Sequence, residues 1–399
     1  MPTSALVVAL TLGTLGASIS YKDTDTQNTT FEKHWGTEFV WKFEDLPTQG
    51  TLPNYRVPYS GYIYPDRQGG TINALTKYDR AFHGGRGLAA AYEKYDTTAY
   101  KKPIPKPLGP FGLIAPKVMQ TPDWHGHCNG WSAAAIRHAE PQKSVVQNGV
   151  RFTPADIKAL LAEIYIYNEP EALAGWEGSI NAGVLHATIA NWIGRGSHPL
   201  GIEADPGEEK WNYPAYAYSY SSAKRSRNVV EVKMNLAYAK DSYGEYQESP
   251  RIRRLKYFHY QLVLNSAGNI VGGSYYRDSN QIDMIWVPTA PVQGGMKGNE
   301  RGNRHVSVKQ VLALWRASVP EEIRTKWPVI NPPAEDRLLV VKDTERIIPK
   351  GFSIVVEQKP EADVEEEITA GDVDDEENPE VATARVTDME EDTDAATSY

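Results

Sequence analysis

The chain has one cysteine, Cys128, in 399 residues, so it forms no intramolecular disulfide and must be held by its core. Long apolar runs are equally scarce. The longest, Ala5 to Leu15, falls short of the ~20 apolar residues that a membrane-spanning helix needs. The lone cysteine also argues against His125, His127 and Cys128 as a zinc motif, because structural zinc sites take four ligands and no second thiol exists. No metal and no cofactor is expected.

The Ala5–Leu15 run is followed by the small residues Gly16, Ala17 and Ser18. Its length and this ending read as an export signal over residues 1–20, cleaved between Ala17 and Ser20, although the basic segment that usually precedes such a run is missing. A buried N-terminal segment is the alternative. The expected location is therefore outside the cell: extracellular, cell wall or periplasmic.

What the chain has in excess is acid at one end. Residues 361–399 hold sixteen Asp and Glu against the single Arg385, a local balance of −15 within a chain total of −9, which leaves +6 for the residues before them. This tail lacks periodicity and large apolar residues, so it cannot offset the entropy of ordering, and 358–399 reads as disordered. It has no ordered Asp-x-Asp-x-Asp-Gly calcium loop.

The remainder, 41% hydrophobic by chain average, can bury a core. Residues 21–57 carry turn formers without sustained periodicity and read as an extended lead-in. Leu88 to Tyr95 fits a short helix, and five prolines between Lys102 and Pro116 exclude regular structure there. Ser132 to Ala139 is helix-forming and stops before Pro141. Thr153-Pro154-Ala155-Asp156 is a helix start, and Ile157, Leu160, Leu161, Ile164 and Tyr165 follow it at the spacing of one buried face.

After residue 200 the period changes. Val230, Val232, Met234, Leu236 and Tyr238 alternate with Glu231, Lys233, Asn235 and Ala237 as in a half-buried strand. Tyr257–Leu264 and Ile270–Tyr276 flank a turn at Asn265–Gly268, and Met284–Val287 ends the series at Pro288. The fold class is α+β, with early helices followed by an antiparallel sheet. Tyr213, Tyr216, Tyr218 and Tyr220 fit either a binding groove or an ordinary strand face.

Cys128 sits where a loop meets the Ser132 helix, and a thiol beside unpaired helix N–H groups is biased towards thiolate. A nucleophile also needs a base and an orienting group. Of nine histidines, His186 lies in the apolar stretch Ile180–Trp192, where an imidazole must find a partner; a core histidine bonded to a backbone carbonyl explains it equally well. Asp205, nineteen residues on, ends a short strand in Gly201-Ile202-Glu203-Ala204-Asp205 and is placed to hold that imidazole, with Glu203 as its rival. His125 and His127 are too close to Cys128 to share its helix face.

Gly126-His127-Cys128-Asn129-Gly130-Trp131, together with Lys210-Trp211-Asn212-Tyr213-Pro214, resembles the secreted elicitor-type transglutaminases of oomycete cell walls and their bacterial relatives. Asp156–Leu161, Leu185-His186, the carboxylates before Trp211, Gly272-Gly273 and Ile285-Trp286-Val287-Pro288 follow in family order, so the likeness spans roughly 58–290. It implies a papain-like or transglutaminase-like core over residues 58–300, with the nucleophile at a helix N-terminus packed on an antiparallel sheet. Residues 301–357 complete the globular body.

The resemblance further implies Cys128 as nucleophile, His186 as base and Asp205 as orienter. The reaction would run from a glutamine carboxamide through a thioester to an isopeptide bond with lysine or another primary amine. The backbone N–H of Cys128 and the indole of Trp124 are candidate oxyanion donors. Protein substrates bearing Gln and Lys are the implied partners of a monomer that binds neither nucleic acid nor membrane. Two departures stand out: Gln281-Ile282-Asp283 replaces the His-Pro expected there, and Lys210 and Tyr213 alter the segment that resembles the elicitor peptide. A cysteine peptidase or amidase using the same residues, or a non-catalytic secreted interaction protein, remains as an alternative reading.

Overall fold

A computed structural model describes residues 17–99, 101–104, 118–175 and 179–324. The expected signal up to residue 16, most of the proline-rich segment and the acidic tail lie outside the described residues. In chain order the main elements are β1 (Ala17–Ser18), α1 (Tyr21–Trp35), β2 (Gln49–Thr51), α2 (Ile72–Phe82), α3 (Leu88–Ala99), β3 (Lys102–Ile104) and β4 (Val118–Gln120). Next come α4 (Cys128–Arg137), β5 (Val145–Gln147), β6 (Val150–Phe152), α5 (Pro154–Tyr165), β7 (Glu171–Ala174) and α6 (Ala182–Ile189), which runs on into a π-helical turn at Ala190–Arg195. The series ends with β8 (Leu200–Glu203), β9 (Asn212–Ser226), β10 (Val229–Ala239), β11 (Arg253–Leu264), β12 (Ile270–Tyr275), β13 (Met284–Val287), α7 (Val308–Ser318) and α8 (Glu321–Arg324).

The α+β expectation holds as a mixture of helices and one large antiparallel sheet. Its strands run in the order β1-β12-β11-β10-β9-β8-β13-β7, with β2 also pairing with β9. The alternation read from Val230 to Tyr238 is the inward face of β10, which pairs with β11 from Val229↔Val263 to Ala239↔Arg253. Past Met234 both faces of β10 are covered. Tyr213, Tyr216, Tyr218 and Tyr220 are all buried, so they are core side chains and not the lining of a groove.

The helix start at Thr153 forms as its sequence dictates. Thr153 Oγ1 accepts from the Asp156 N–H at 3.3 Å, and the Thr153 N–H donates to Asp156 Oδ2 at 2.7 Å, closing a reciprocal cap with Pro154 in the first turn. The helix it opens is buried on every side. Lys158, which a surface helix would expose, instead donates to Glu140 at 2.8 Å and to Ser249 Oγ at 2.7 Å. An interior α5 is the platform on which α4 rests.

The lead-in differs from expectation. Tyr21–Trp35 is a helix, capped by Ser20 accepting from the Asp23 N–H and ended by Gly36 with φ of 66°. Its polar sequence conceals a buried stripe of Gln27, Phe31, His34 and Trp35, and Gln27 donates to the Leu173 carbonyl at 2.7 Å. Lys102–Ile104 pairs with Val118–Gln120 despite Pro103, so proline does not exclude a strand at that end of its segment. Among the described residues no helix is long and apolar enough to cross a membrane.

Candidate active site

Two glycines explain how Cys128 comes to begin a helix deep in the fold. The His127 N–H donates to the Ile63 carbonyl at 2.6 Å, and a Cβ on Gly126 would sit 2.6 Å from that same oxygen. A Cβ on Gly130 would meet the Ala162 carbonyl of α5 at 2.4 Å, so the glycine lets α4 and α5 approach backbone to backbone. Both glycines of Gly126-His127-Cys128-Asn129-Gly130 therefore serve placement.

Cys128 is the first residue of α4 and 5% exposed. Its Sγ donates to the Lys210 carbonyl at 3.5 Å and lies 4.0 Å from Asn212 Nδ2. Asn212 is held from three sides: its carbonyl accepts from Ser132 Oγ at 2.9 Å, its Oδ1 accepts from Trp286 Nε1 at 3.0 Å, and its backbone starts β9. Burial pushes the thiol above its ordinary pKa. The Asn212 N–H and side-chain amide and the Asn129 N–H pull the other way, while the charge of Asp241 adds to the rise. The expectation of a thiolate bias at the helix start is thus met in part, since the N–H groups are present but desolvation outweighs them.

The structure does not bring His186 to the sulfur. His186 lies on α6, fully buried, with Nδ1 2.8 Å from Tyr260 Oη and its ring against Phe43 and Tyr220. Tyr220 stands eight residues along β9 from Asn212, about 26 Å at about 3.3 Å per residue, which separates this imidazole from Cys128. Burial pushes the His186 pKa down to about 3, so the ring is neutral. It is the core histidine that the sequence also allowed, with a tyrosine hydroxyl as its partner instead of a backbone carbonyl.

Asp205 does not meet His186 and has another partner. Its side chain is half exposed and 3.4 Å from Lys256 Nζ, which also donates to the Ala204 carbonyl. Its rival Glu203 pairs with Lys210 at 2.9 Å, and Lys210 reaches Asp283 at the same distance. Desolvation raises the Glu203 carboxyl above its usual value, with the Lys210 ammonium opposing. Lys210 thus clamps the loop 205–211 between two carboxylates, and the carbonyl of this same residue receives the thiol.

The other histidines have neighbours of their own. His34 is 2.9 Å from Glu171, His83 2.6 Å from Asp79, and His138 2.7 Å from Tyr165. His259 lies between Asp278 and Glu231, and His198 between Trp35 and Trp192. His125 packs against Trp124, the expected oxyanion donor, and His305 faces Tyr92. His127 follows the chain direction into a cluster of acids behind the helix.

Sequence reasoning missed Asp241 and its pairing with Tyr213. Their charges act on Cys128 or on each other, Tyr213 hydrogen-bonds to Asp241, and burial raises both pKa values. Asp241 stands just beyond β10, next to an ordinary-looking Lys240, so spacing gave no signal for it. Asn129 and Asn212, whose N–H groups face the thiol, line a cavity together with Tyr165, Met284, Trp286 and Pro288.

Residues 117–172, from before Cys128 to the end of α5 and beyond, match the Transglutaminase elicitor family. Over that segment the chain is similar to the elicitor-type transglutaminases. The solved structure of the GP42 transglutaminase from Phytophthora sojae has a similar fold, with a TM-score of 0.61 over 76% of this chain and 99% of that one, at 22% identity. No curated protein matches the chain in sequence. Asn212-Tyr213-Pro214 is buried at the start of β9.

Proposed function

We propose that the protein is a secreted acyltransferase of the transglutaminase type, acting on glutamine and lysine side chains of extracellular or cell-wall proteins. The observation that carries this reading is the setting of Cys128: a lone thiol at the start of α4, faced by the N–H groups of Asn129 and Asn212 and by the Asn212 amide. Those donors stabilise negative charge on sulfur. Such donors also suit the oxyanion that forms when sulfur attacks a carboxamide.

In this reaction the Cys128 sulfur forms a bond to the glutamine carbonyl carbon and ammonia leaves with a proton, giving a thioester. A primary amine then attacks the same carbon, the sulfur departs, and an isopeptide bond remains. The thiol proton needs an acceptor; His186 stands too far along the sheet to supply it, and Asp205 is turned to Lys256. Asp241, bonded to Tyr213, is the carboxylate whose charge reaches the sulfur, and its raised pKa makes it a better proton acceptor than an ordinary aspartate.

A second reading, a non-catalytic secreted protein retaining the fold, is favoured by one observation: the imidazoles all have contacts elsewhere and the thiol is held protonated against Lys210. Incubation with a glutamine-bearing protein and a labelled primary amine separates the two. Incorporation that disappears in Cys128→Ala supports transfer; ammonia release without incorporation indicates hydrolysis, and neither product indicates the non-catalytic reading.

A further inference from the structure

Behind the cysteine helix, three elements bring acid and imidazole together in the interior. Glu93 of α3, His127 at the start of α4 and Glu163 of α5 are each no more than 3% exposed. His127 Nε2 lies 3.3 Å from a carboxylate oxygen of Glu93 and 3.3 Å from one of Glu163. Neither contact has hydrogen-bond geometry, and Nδ1 also lacks a hydrogen-bond partner. A protonated ring would form ion pairs with both carboxylates at these distances, but neither ring nitrogen is hydrogen-bonded, so the imidazole equally offers Nε2 to an ion at the focus of the three ligand atoms.

The spacing identifies what fits. The three ligand atoms lie within 4.8 Å of one another. Around a tetrahedral ion with bonds of about 2.0–2.1 Å, neighbouring ligand atoms stand about 3.3–3.4 Å apart, as the two imidazole-to-carboxylate distances do. Calcium takes six to eight oxygens at about 2.3–2.6 Å, which this set cannot supply, whereas mixed imidazole and carboxylate sets suit zinc and manganese.

The surroundings are built as a second layer. Glu163 Oε1 accepts from Asn303 Nδ2 at 2.9 Å and its Oε2 from Thr71 Oγ1 at 2.6 Å; Glu93 Oε1 accepts from the Thr71 N–H at 2.9 Å. Asp66 lies 3.9 Å from His127 Nδ1, on the side where a carboxylate orients a ligating imidazole. The Thr71 hydroxyl also lies 3.3 Å from Glu93 Oε1, so it links the two carboxylates.

We propose that Glu93, His127 and Glu163 bind a divalent transition-metal ion of the zinc or manganese class. The ion joins α3 and α5 to the residue that precedes Cys128, so it fixes the position of the nucleophile's helix without entering the reaction. From the sequence, His127 was weighed only beside His125 and Cys128, because the two glutamates lie on other helices.

The test uses the tag-free full chain, stripped with a chelator, offered Zn²⁺, Mn²⁺ or Ca²⁺, desalted and measured for metal by mass spectrometry and for melting temperature. The expected result is about one zinc or manganese per chain with a melting temperature raised by a few degrees. Glu93→Gln and Glu163→Gln should each weaken binding more than about tenfold, while Cys128→Ala binds as the parent does. X-ray absorption of the zinc-loaded parent should show nitrogen and oxygen neighbours without sulfur, a readout that needs no variant to fold. A folded parent that retains neither zinc nor manganese overturns the proposal, as do retention of calcium alone, undiminished binding in both glutamate variants, or a sulfur neighbour.

Discussion

The thiol of Cys128 donates to the carbonyl of Lys210 across 3.5 Å, and the ammonium of that same lysine is tied at 2.9 Å to both Glu203 and Asp283. A thiol that donates is protonated, so the geometry and the upward pKa shift agree. The resting state has the nucleophile in place and its charge withheld.

Alkylation of Cys128 should accordingly be slow at neutral pH. The thiolate is the reactive form, and burial raises the thiol above the ordinary value of about 8.5. The rate of iodoacetamide modification, followed by intact mass from pH 6 to 10, should have its midpoint above that of a small free thiol. A midpoint below it would mean that the Asn129 and Asn212 N–H groups outweigh desolvation.

Lys210→Ala should release the loop that meets the sulfur. Its two ion pairs involve a half-exposed ammonium, so each contributes at most about 1 kcal/mol. Loss of one or both raises an open population about five- to thirtyfold, and alkylation at pH 8 should accelerate within that range with little change in melting temperature. An unchanged rate would show that the cover is held by backbone and not by the lysine.

His186→Gln and Asp241→Asn should behave in opposite ways. The first removes a buried partner of Tyr260 and should cost about 1–3 kcal/mol of stability while leaving the alkylation rate of Cys128 unchanged. The second removes a charge that raises the thiol, so alkylation at a fixed pH should quicken while amine incorporation falls. If His186→Gln abolishes incorporation in a folded protein, His186 acts on the thiol despite its place beside Tyr260 and Tyr220.

What was legible in the chain follows from how local each signal is. The Thr153 cap, the alternation of β10 and the Asn265–Gly268 hairpin depend on neighbours in sequence, and each formed where it was read. Tyr21–Trp35 is obscured because its buried face includes Gln27 and His34, polar groups satisfied by the distant Leu173 carbonyl, Thr188 and Glu171. The pairing of His186 with Cys128 failed for the same reason in reverse. Nineteen residues suffice to reach a neighbouring strand, but His186 is on a helix packed near β11 and β12, at the other end of β9 from the sulfur. Asp241 and Tyr213 meet only through the sheet register, which no spacing along the chain announces.

Asn212→Ala should be costly out of proportion to its size. Asn212 Oδ1 is the acceptor for the buried Trp286 Nε1, and its loss leaves that N–H unsatisfied, about 1–3 kcal/mol. It also removes one of the donors facing Sγ, so the alkylation midpoint should move further up. Urea unfolding and the pH profile measured together check both halves. A stability loss with no shift of the midpoint would assign Asn212 to packing alone.

Asp79→Asn should reveal the acid limb of stability. The Asp79 carboxylate accepts from the Ala89 and Ala90 N–H groups at 3.0 Å, at the start of α3, and from His83 Nδ1 at 2.6 Å. Burial alone would raise its pKa, but the Ala90 N–H, the His83 ring and the Ala89 N–H outweigh it and hold the group below the ordinary aspartate value. A depressed carboxylate contributes stability that is complete above its unfolded pKa of about 3.9 and lost as pH falls through the lower folded value. The parent should therefore exceed Asp79→Asn by about 1–3 kcal/mol at pH 7, with the gap narrowing only below about pH 4. Urea midpoints from pH 3 to 8 measure it, and a gap that stays constant down to pH 3 would show that the carboxylate's charge is not what holds the start of α3.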